Sequence, residues 1–228
     1  MTKLFYASII SEFVKNANST IAIGKQKYMK SKMPFYGIPN PMVKKLTNYQ
    51  LKKFPINNND EYKSLIKYIF HNAIHREEWY CGLHIAMKYK KYILEENLPL
   101  YLEIIKITQW WDIVDAVASN LVGPSIINSS QFRRYNNSWI INENMWIRRT
   151  AILSQLKYKS NTDEKLLYEL ILKCAHEIEF FIRKAIGWIL REYSKTNPNS
   201  VMVFIDKNRN YLSNLSVREG SKKLMNFT

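Results

Sequence analysis

The sequence predicts an all-α protein, a solenoid of short helical repeats, on three observations. Apolar residues recur at helical spacing in segments of about 10–18 residues, and none sustains the period-two alternation of a half-buried strand. Glycine (6) and proline (7) are scarce over 228 residues, against the many tight turns of an all-β sandwich. The third observation is a repeat. Ile147-Arg148-Arg149, Ile182-Arg183-Lys184 and Val217-Arg218-Glu219 recur at a spacing of 35 residues, as do Tyr158 and Tyr193. Lys88-Tyr89-Lys90 and Lys157-Tyr158-Lys159 lie 69 apart, close to two periods, and one period back from Ile147 is Asp112. A period of this size with two helices per unit is the signature of HEAT-like or similar α-solenoids. Tetratricopeptide repeats have nearly the same period, but their small-residue and proline pattern is missing. The expected architecture is one domain, 1–228, that curves and lines a concave basic face with one helix from each repeat.

In chain order, Leu4, Ile9, Ile10 and Phe13 suit a first amphipathic helix. Residues 34–41, with Pro34, Gly37, Pro39 and Pro41, form a loop and restart, and Pro41 fits the first turn of the next helix. Asn57-Asn58-Asn59-Asp60 reads as a turn with Asp60 as N-cap. Further breaks are expected at Asn97-Leu98-Pro99, Gly123-Pro124, Asn136-Asn137, Ser160-Asn161-Thr162-Asp163 and Asn197-Pro198-Asn199. Apolar-patterned helical segments fill the intervals.

Lysine and arginine number 34 against 19 aspartates and glutamates, a net charge of +15. Such an excess points to a polyanionic partner and says nothing about fold. Its distribution is uneven. Residues 1–54 hold ten lysines against one acid, Glu12, a balance of +9, while 55–110 are neutral and 111–160 and 161–228 each carry +3. The N-terminal lysines Lys25, Lys27, Lys30 and Lys32 are interleaved with Tyr28, Phe35 and Tyr36. Lysines there can contact phosphates and a tyrosine can stack beside the backbone; a solvated basic helix face with buried aromatics is the alternative.

Composition excludes several classes. With 46% hydrophobic residues, the chain is not a disordered basic tail. Two distant cysteines, Cys81 and Cys174, allow neither a disulfide scaffold nor a four-cysteine zinc site. No apolar run approaches the roughly 20 residues of a membrane span, and the start lacks the cleavage site of a signal peptide. A cytoplasmic protein is expected.

The familiar catalytic motifs are missing: no glycine-rich phosphate loop, no Gly-x-Ser-x-Gly elbow, no His-Glu-x-x-His. His71 and His75, at i and i+4, would share a helix face, but no third ligand lies nearby, so no metal is expected. The segment Thr108-Gln109-Trp110-Trp111-Asp112-Ile113-Val114-Asp115 is different. On a helix it puts Trp111 and Asp115 on one face, with Asp112 one turn from Asp115. A second aromatic, Trp188, precedes Arg191 by one turn. Tryptophan is more often core than site. An aspartate beside it on a basic face, however, repels phosphate and attracts a cation. Arg148, Arg183 and Arg218 occupy equivalent positions in successive repeats, as a ladder of phosphate contacts or as ordinary intra-repeat ion pairs.

These segments carry a resemblance. Lys27-Tyr28-Met29-Lys30 with Phe35-Tyr36-Gly37-Ile38, Trp110-Trp111-Asp112-Ile113-Val114-Asp115, Trp146-Ile147-Arg148-Arg149-Thr150-Ala151-Ile152-Leu153, Ala185-Ile186-Gly187-Trp188-Ile189-Leu190-Arg191-Glu192-Tyr193 and Leu215-Ser216-Val217-Arg218-Glu219 resemble the AlkD family of DNA alkylation repair glycosylases. The likeness spans nearly the whole chain. It implies excision of cationic N3- and N7-alkylated purines from duplex DNA without flipping the base. It further implies Asp115 as the catalytic carboxylate and Trp111 and Trp188 as the active-site tryptophans. Arg149, Arg191 and Tyr28 would be DNA contacts; Lys27, Lys30, Arg148, Arg183 and Arg218 join them on charge and spacing. Neither metal nor organic cofactor is expected, and a monomer is. The competing readings are a non-catalytic module for damaged or unusual DNA and a solenoid whose basic face meets an acidic protein.

Overall fold

The computed structural model describes residues 1–226, and every regular element among them is helical. The helices group into two compact units, Met1–Ile107 and the chain from Thr108 onward.

The first unit holds α1 (Thr2–Lys15), α2 (Ser19–Met29), α3 (Asn40–Lys53), α4 (Asn59–Asn72), α5 (Arg76–Lys88) and α6 (Leu98–Thr108). Helix α1 buries Phe5, Ile9 and Phe13, each worth roughly 1.5–3 kcal/mol. Leu4 of the expected stripe is 65% exposed instead, because the i, i+4, i+8 row through Phe5 is the one that faces α3 and α4. Pro41 does sit in the first turn of α3. The cap of α4 is Asn58, whose side chain accepts from the Glu61 amide; Asp60, two residues on, lies inside the first turn. The acid pair at the start of α5 fixes the 34–38 loop. Glu77, fully buried, accepts from the backbone amides of Tyr36, Gly37 and Ile38 and pairs with Lys25 at 3.2 Å. Glu78 accepts from the hydroxyls of Tyr6 and Tyr36. Lys25 is therefore committed to the fold. Gly37 has φ +84°, and a Cβ there would fall 2.0 Å from the Asn18 carbonyl oxygen, so only glycine fits.

The second unit repeats. Helix α7 (Trp111–Val117) continues through a π turn (Ala118–Val122) into α8 (Gly123–Ile126), followed by α9 (Phe132–Trp139), α10 (Met145–Leu153), α11 (Glu164–Cys174), α12 (Phe180–Tyr193), α13 (Pro198–Lys207) and α14 (Asn214–Gly220). A 3₁₀ turn, Ser221–Asn226, ends the described chain. The starts of α7, α10, α12 and α14 are 34 or 35 residues apart, and α7 packs on α10, α10 on α12 and α12 on α14. That succession is the α-solenoid the period predicts. Two expected breaks are overturned. Gly123-Pro124 is no chain reversal, since the π turn takes up the residue that a proline would otherwise force out of the helix. Asn136 and Asn137 lie inside α9; Asn136 is fully buried, donates to the Phe132 carbonyl and accepts from Ser154 Oγ at 2.8 Å. The breaks at Ser160-Asn161-Thr162-Asp163 and Asn197-Pro198-Asn199 do precede helices, and the side chains of Asp163 and Asn197 cap α11 and α13, accepting from the amides of Leu166 and Ser200.

Candidate active site

Helix α7 starts abruptly. Gln109 has φ +40°, a left-handed residue that turns the chain before Trp110, the N-cap in extended backbone. One side of the new helix carries Trp111 and Asp115, as their i, i+4 spacing requires. Both face a cavity of about 330 Å³ built by the repeat-related helices: Arg149 from α10, Phe180, Phe181, Lys184, Trp188 and Arg191 from α12, and Glu219 from α14.

Asp115 is 9% exposed. Its carboxylate receives a two-pronged hydrogen bond from Arg149, Nε to Oδ1 at 2.7 Å and Nη2 to Oδ2 at 2.8 Å. Arg149, 4% exposed, also donates through Nη1 to the Phe181 carbonyl. Each terminal nitrogen and Nε therefore has a protein acceptor, a buried charge pair with matched fork geometry. Arg149 is expected at the DNA backbone; in the structure it is buried and its donors are taken by Asp115 and the Phe181 carbonyl. Burial pushes the Asp115 carboxyl above the ordinary aspartate range; Arg149 opposes that rise, and Asp112 adds to it.

Trp111 and Trp188 are both half-buried and wall the cavity. Behind them Trp110, Trp146 and Phe181 form an aromatic cluster, with ring centroids 4.9 Å apart for Trp146–Phe181 and 5.7 Å for Trp110–Phe181. Across the cavity Glu219 accepts from Arg191 Nη1 at 2.8 Å and Lys222 Nζ at 2.8 Å, and pairs with Lys184 at 3.3 Å. Lys222 and Lys184 hold its carboxyl down at about 2.

The other expected contacts divide. Arg148 is structural: its guanidinium grips Glu177 through Nε and Nη2 at 2.9 and 2.7 Å and donates to the Asn142 and Glu143 carbonyls. Arg183 is half-buried and donates to the Glu177 carbonyl. Of the ladder, Arg218 alone is exposed. Ion pairing within the repeat thus accounts for the first rung, while the second is held by a backbone carbonyl. In the first unit Lys27, Tyr28 and Lys30 stand together and exposed at the end of α2, Tyr28 at 76%. His71 and His75 do not share a helix, since His71 ends α4 and His75 caps α5. Among the described residues no three histidines, cysteines or acids converge as metal ligands. No helix there is long and apolar enough to cross a membrane.

Phe181, Lys184 and Glu219 lie outside the sequence expectation for the site. The period held the signal. Arg149, Lys184 and Glu219 are successive residues at spacing 35, as are Trp111, Trp146 and Phe181. One repeat position thus delivers three charged groups to the same cavity, and another delivers rings.

A carboxylate in a walled cavity, steadied by arginine and flanked by rings and cations, can oppose positive charge developing on a sugar and a cationic base. Residues 9–224 match the family profile described as DNA alkylation repair enzyme. The chain is also similar to a solved structure described as a predicted DNA alkylation repair enzyme from Enterococcus faecalis. Identity is 32%, covering 92% of this chain and 97% of that one, with a TM-score of 0.82. No curated protein matches.

Proposed function

The chain belongs to the family of DNA alkylation repair enzymes, and from that premise we propose that it is a DNA glycosylase releasing cationic N3- and N7-alkylated purines from duplex DNA. The observation that carries this reading is the Asp115 carboxylate, fixed by Arg149 and walled by Trp111 and Trp188. Alkylation at N3 or N7 gives the purine a formal positive charge, so it departs without an acid. The C1′–N bond breaks, its electron pair leaves with the now neutral base, and the sugar takes on oxocarbenium character. Asp115 opposes that charge and orients a water, whose oxygen adds to C1′ while its proton passes through the carboxylate to solvent. The ring faces of Trp111 and Trp188 contribute about 0.5–2 kcal/mol each toward the cationic lesion and sugar.

Arg191 and Lys184 at the same cavity suit a phosphodiester more than a base edge, which supports approach from the sugar-phosphate side with the lesion left in the stack. Lys27, Tyr28 and Lys30 serve as further backbone contacts, and Arg218 is the rung of the arginine ladder exposed to join them. The protein acts as a monomer on double-stranded DNA and calls on no cofactor.

The test is single-turnover release of 7-methylguanine from duplex DNA by wild type and Asp115→Asn. The variant should lose on the order of 10²–10³ in rate. Equal release by both removes Asp115 from the chemistry; none from wild type leaves a module that binds damaged DNA without turnover.

A further inference from the structure

Lys184, Gly187, Trp188 and Arg191 lie on one face of α12, at i, i+3, i+4 and i+7. Against that face packs α14. Gly187 has no side chain, and a Cβ built there would come within 2.5 Å of Glu219 Cβ and 3.0 Å of the Ser216 carbonyl oxygen. The bare position lets α14 lie so close that Glu219 reaches one turn back to Lys184 and one turn forward to Arg191. Lys222, one turn further along the chain, completes the set. Three cations thus converge on one carboxylate that is itself 8% exposed, while their own side chains are 28–49% exposed. The group carries a net charge of +2; its Lys184, Arg191 and Glu219 line the cavity and Lys222 joins from beyond that lining, while the other charged pair there, Asp115 and Arg149, is neutral overall.

We propose that Arg191, Lys184 and Lys222 form a clamp for a DNA backbone phosphodiester beside the lesion, preassembled by Glu219 as an internal anion. The inference rests on the glycosylase reading and adds to it the source of register. Arg191 uses only Nη1 on Glu219, and each ammonium has three donors, so donors remain for a phosphate. Glu219 keeps like charges together that would otherwise repel and scatter, and it does so with a carboxyl ionised at any working pH. With Arg191 held on Glu219, Arg149 is the arginine that pairs with Asp115. Glu219 is a positioning residue: it acts through the cations and touches neither base nor sugar.

Glu219→Gln retains size and an acceptor oxygen and removes the charge. In single turnover at saturating protein, release of 7-methylguanine should fall roughly tenfold or more through lost positioning. Affinity for undamaged duplex should hold within about threefold, because the variant gains one net positive charge. In an Arg191→Ala background the same substitution should have little further effect, since coupled residues are not additive. A rate within twofold of wild type overturns the clamp. So does a fall equally large in the Arg191→Ala background, or a parallel loss of rate, affinity and melting temperature. If wild type itself releases no base, the glycosylase reading fails and the clamp is judged by binding. Arg191→Ala and Lys184→Ala should then each flatten the salt dependence of duplex binding by about one unit of slope. Unchanged slopes in both overturn it.

Discussion

At Asp115 and Arg149 one charge pair serves two requirements that conflict. A carboxylate buried enough to act strongly on a developing cation is driven toward its neutral form, and Arg149 offsets that drive with two charge-assisted hydrogen bonds. Because the folded-state value is raised, protonation sets in at a higher pH than for an ordinary aspartate. Activity that needs the carboxylate is therefore lost as pH falls through that raised value, and the acid limb of the single-turnover profile should lie above the ordinary aspartate range. Arg149→Gln removes the opposing charge, so the acid limb should move further up in pH while the salt dependence of DNA binding changes little. An unmoved acid limb with a flattened salt slope would return Arg149 to the phosphate contacts. The sequence placed both residues at the site, but the role of Arg149 was not legible: a charge-bearing position in a repeat looks the same whether its side chain turns to solvent or into the stack.

The site is assembled from elements at the interval of the repeat. Helices α7, α10, α12 and α14 each contribute to it, and the same repeat position supplies Arg149, Lys184 and Glu219. Close approach of α12 and α14 is a precondition. Gly187→Ala would push Glu219 and Ser216 outward and should cost about 1–3 kcal/mol of stability through overpacking, read as a lowered denaturant midpoint with the slope unchanged. A midpoint equal to wild type would show that α14 shifts without penalty. Helix starts were readable as breaks where polar residues cluster, as at Asp163 and Asn197, although at Asn57-Asn58-Asn59-Asp60 the capping residue is Asn58 and not Asp60. They were misread where local chemistry was ambiguous. Asn136 looked like a turn and is a buried hydrogen-bonding residue on Ser154, and Gly123-Pro124 looked like a stop and is absorbed by a π turn.

Across the whole molecule the charge of +15 sorts into two classes. Lys25, Arg148 and Arg149 are held by acids within the fold, whereas Lys27, Lys30 and Arg218 are exposed. The first three are committed within the fold, while the second three, like Arg191, Lys184 and Lys222 of the proposed clamp, have donors left for phosphates. Lys27→Ala should weaken duplex binding at low salt and lower the salt slope by about one, whereas Lys25→Ala should lower thermal stability by stranding buried Glu77. Equal slopes for wild type and Lys27→Ala would take the end of α2 out of the DNA contacts. The sequence by itself determined the all-helical class, the 35-residue period and the shared face of Trp111 and Asp115, because each is a matter of spacing along the chain; Trp188 came with the family resemblance. Only the tertiary structure decided which cations are committed, that Arg149 serves Asp115, and that Glu219 gathers Arg191, Lys184 and Lys222. Those facts depend on which partner stands opposite once helices 35 residues apart are packed, and a charge in the chain does not carry the identity of its counter-charge.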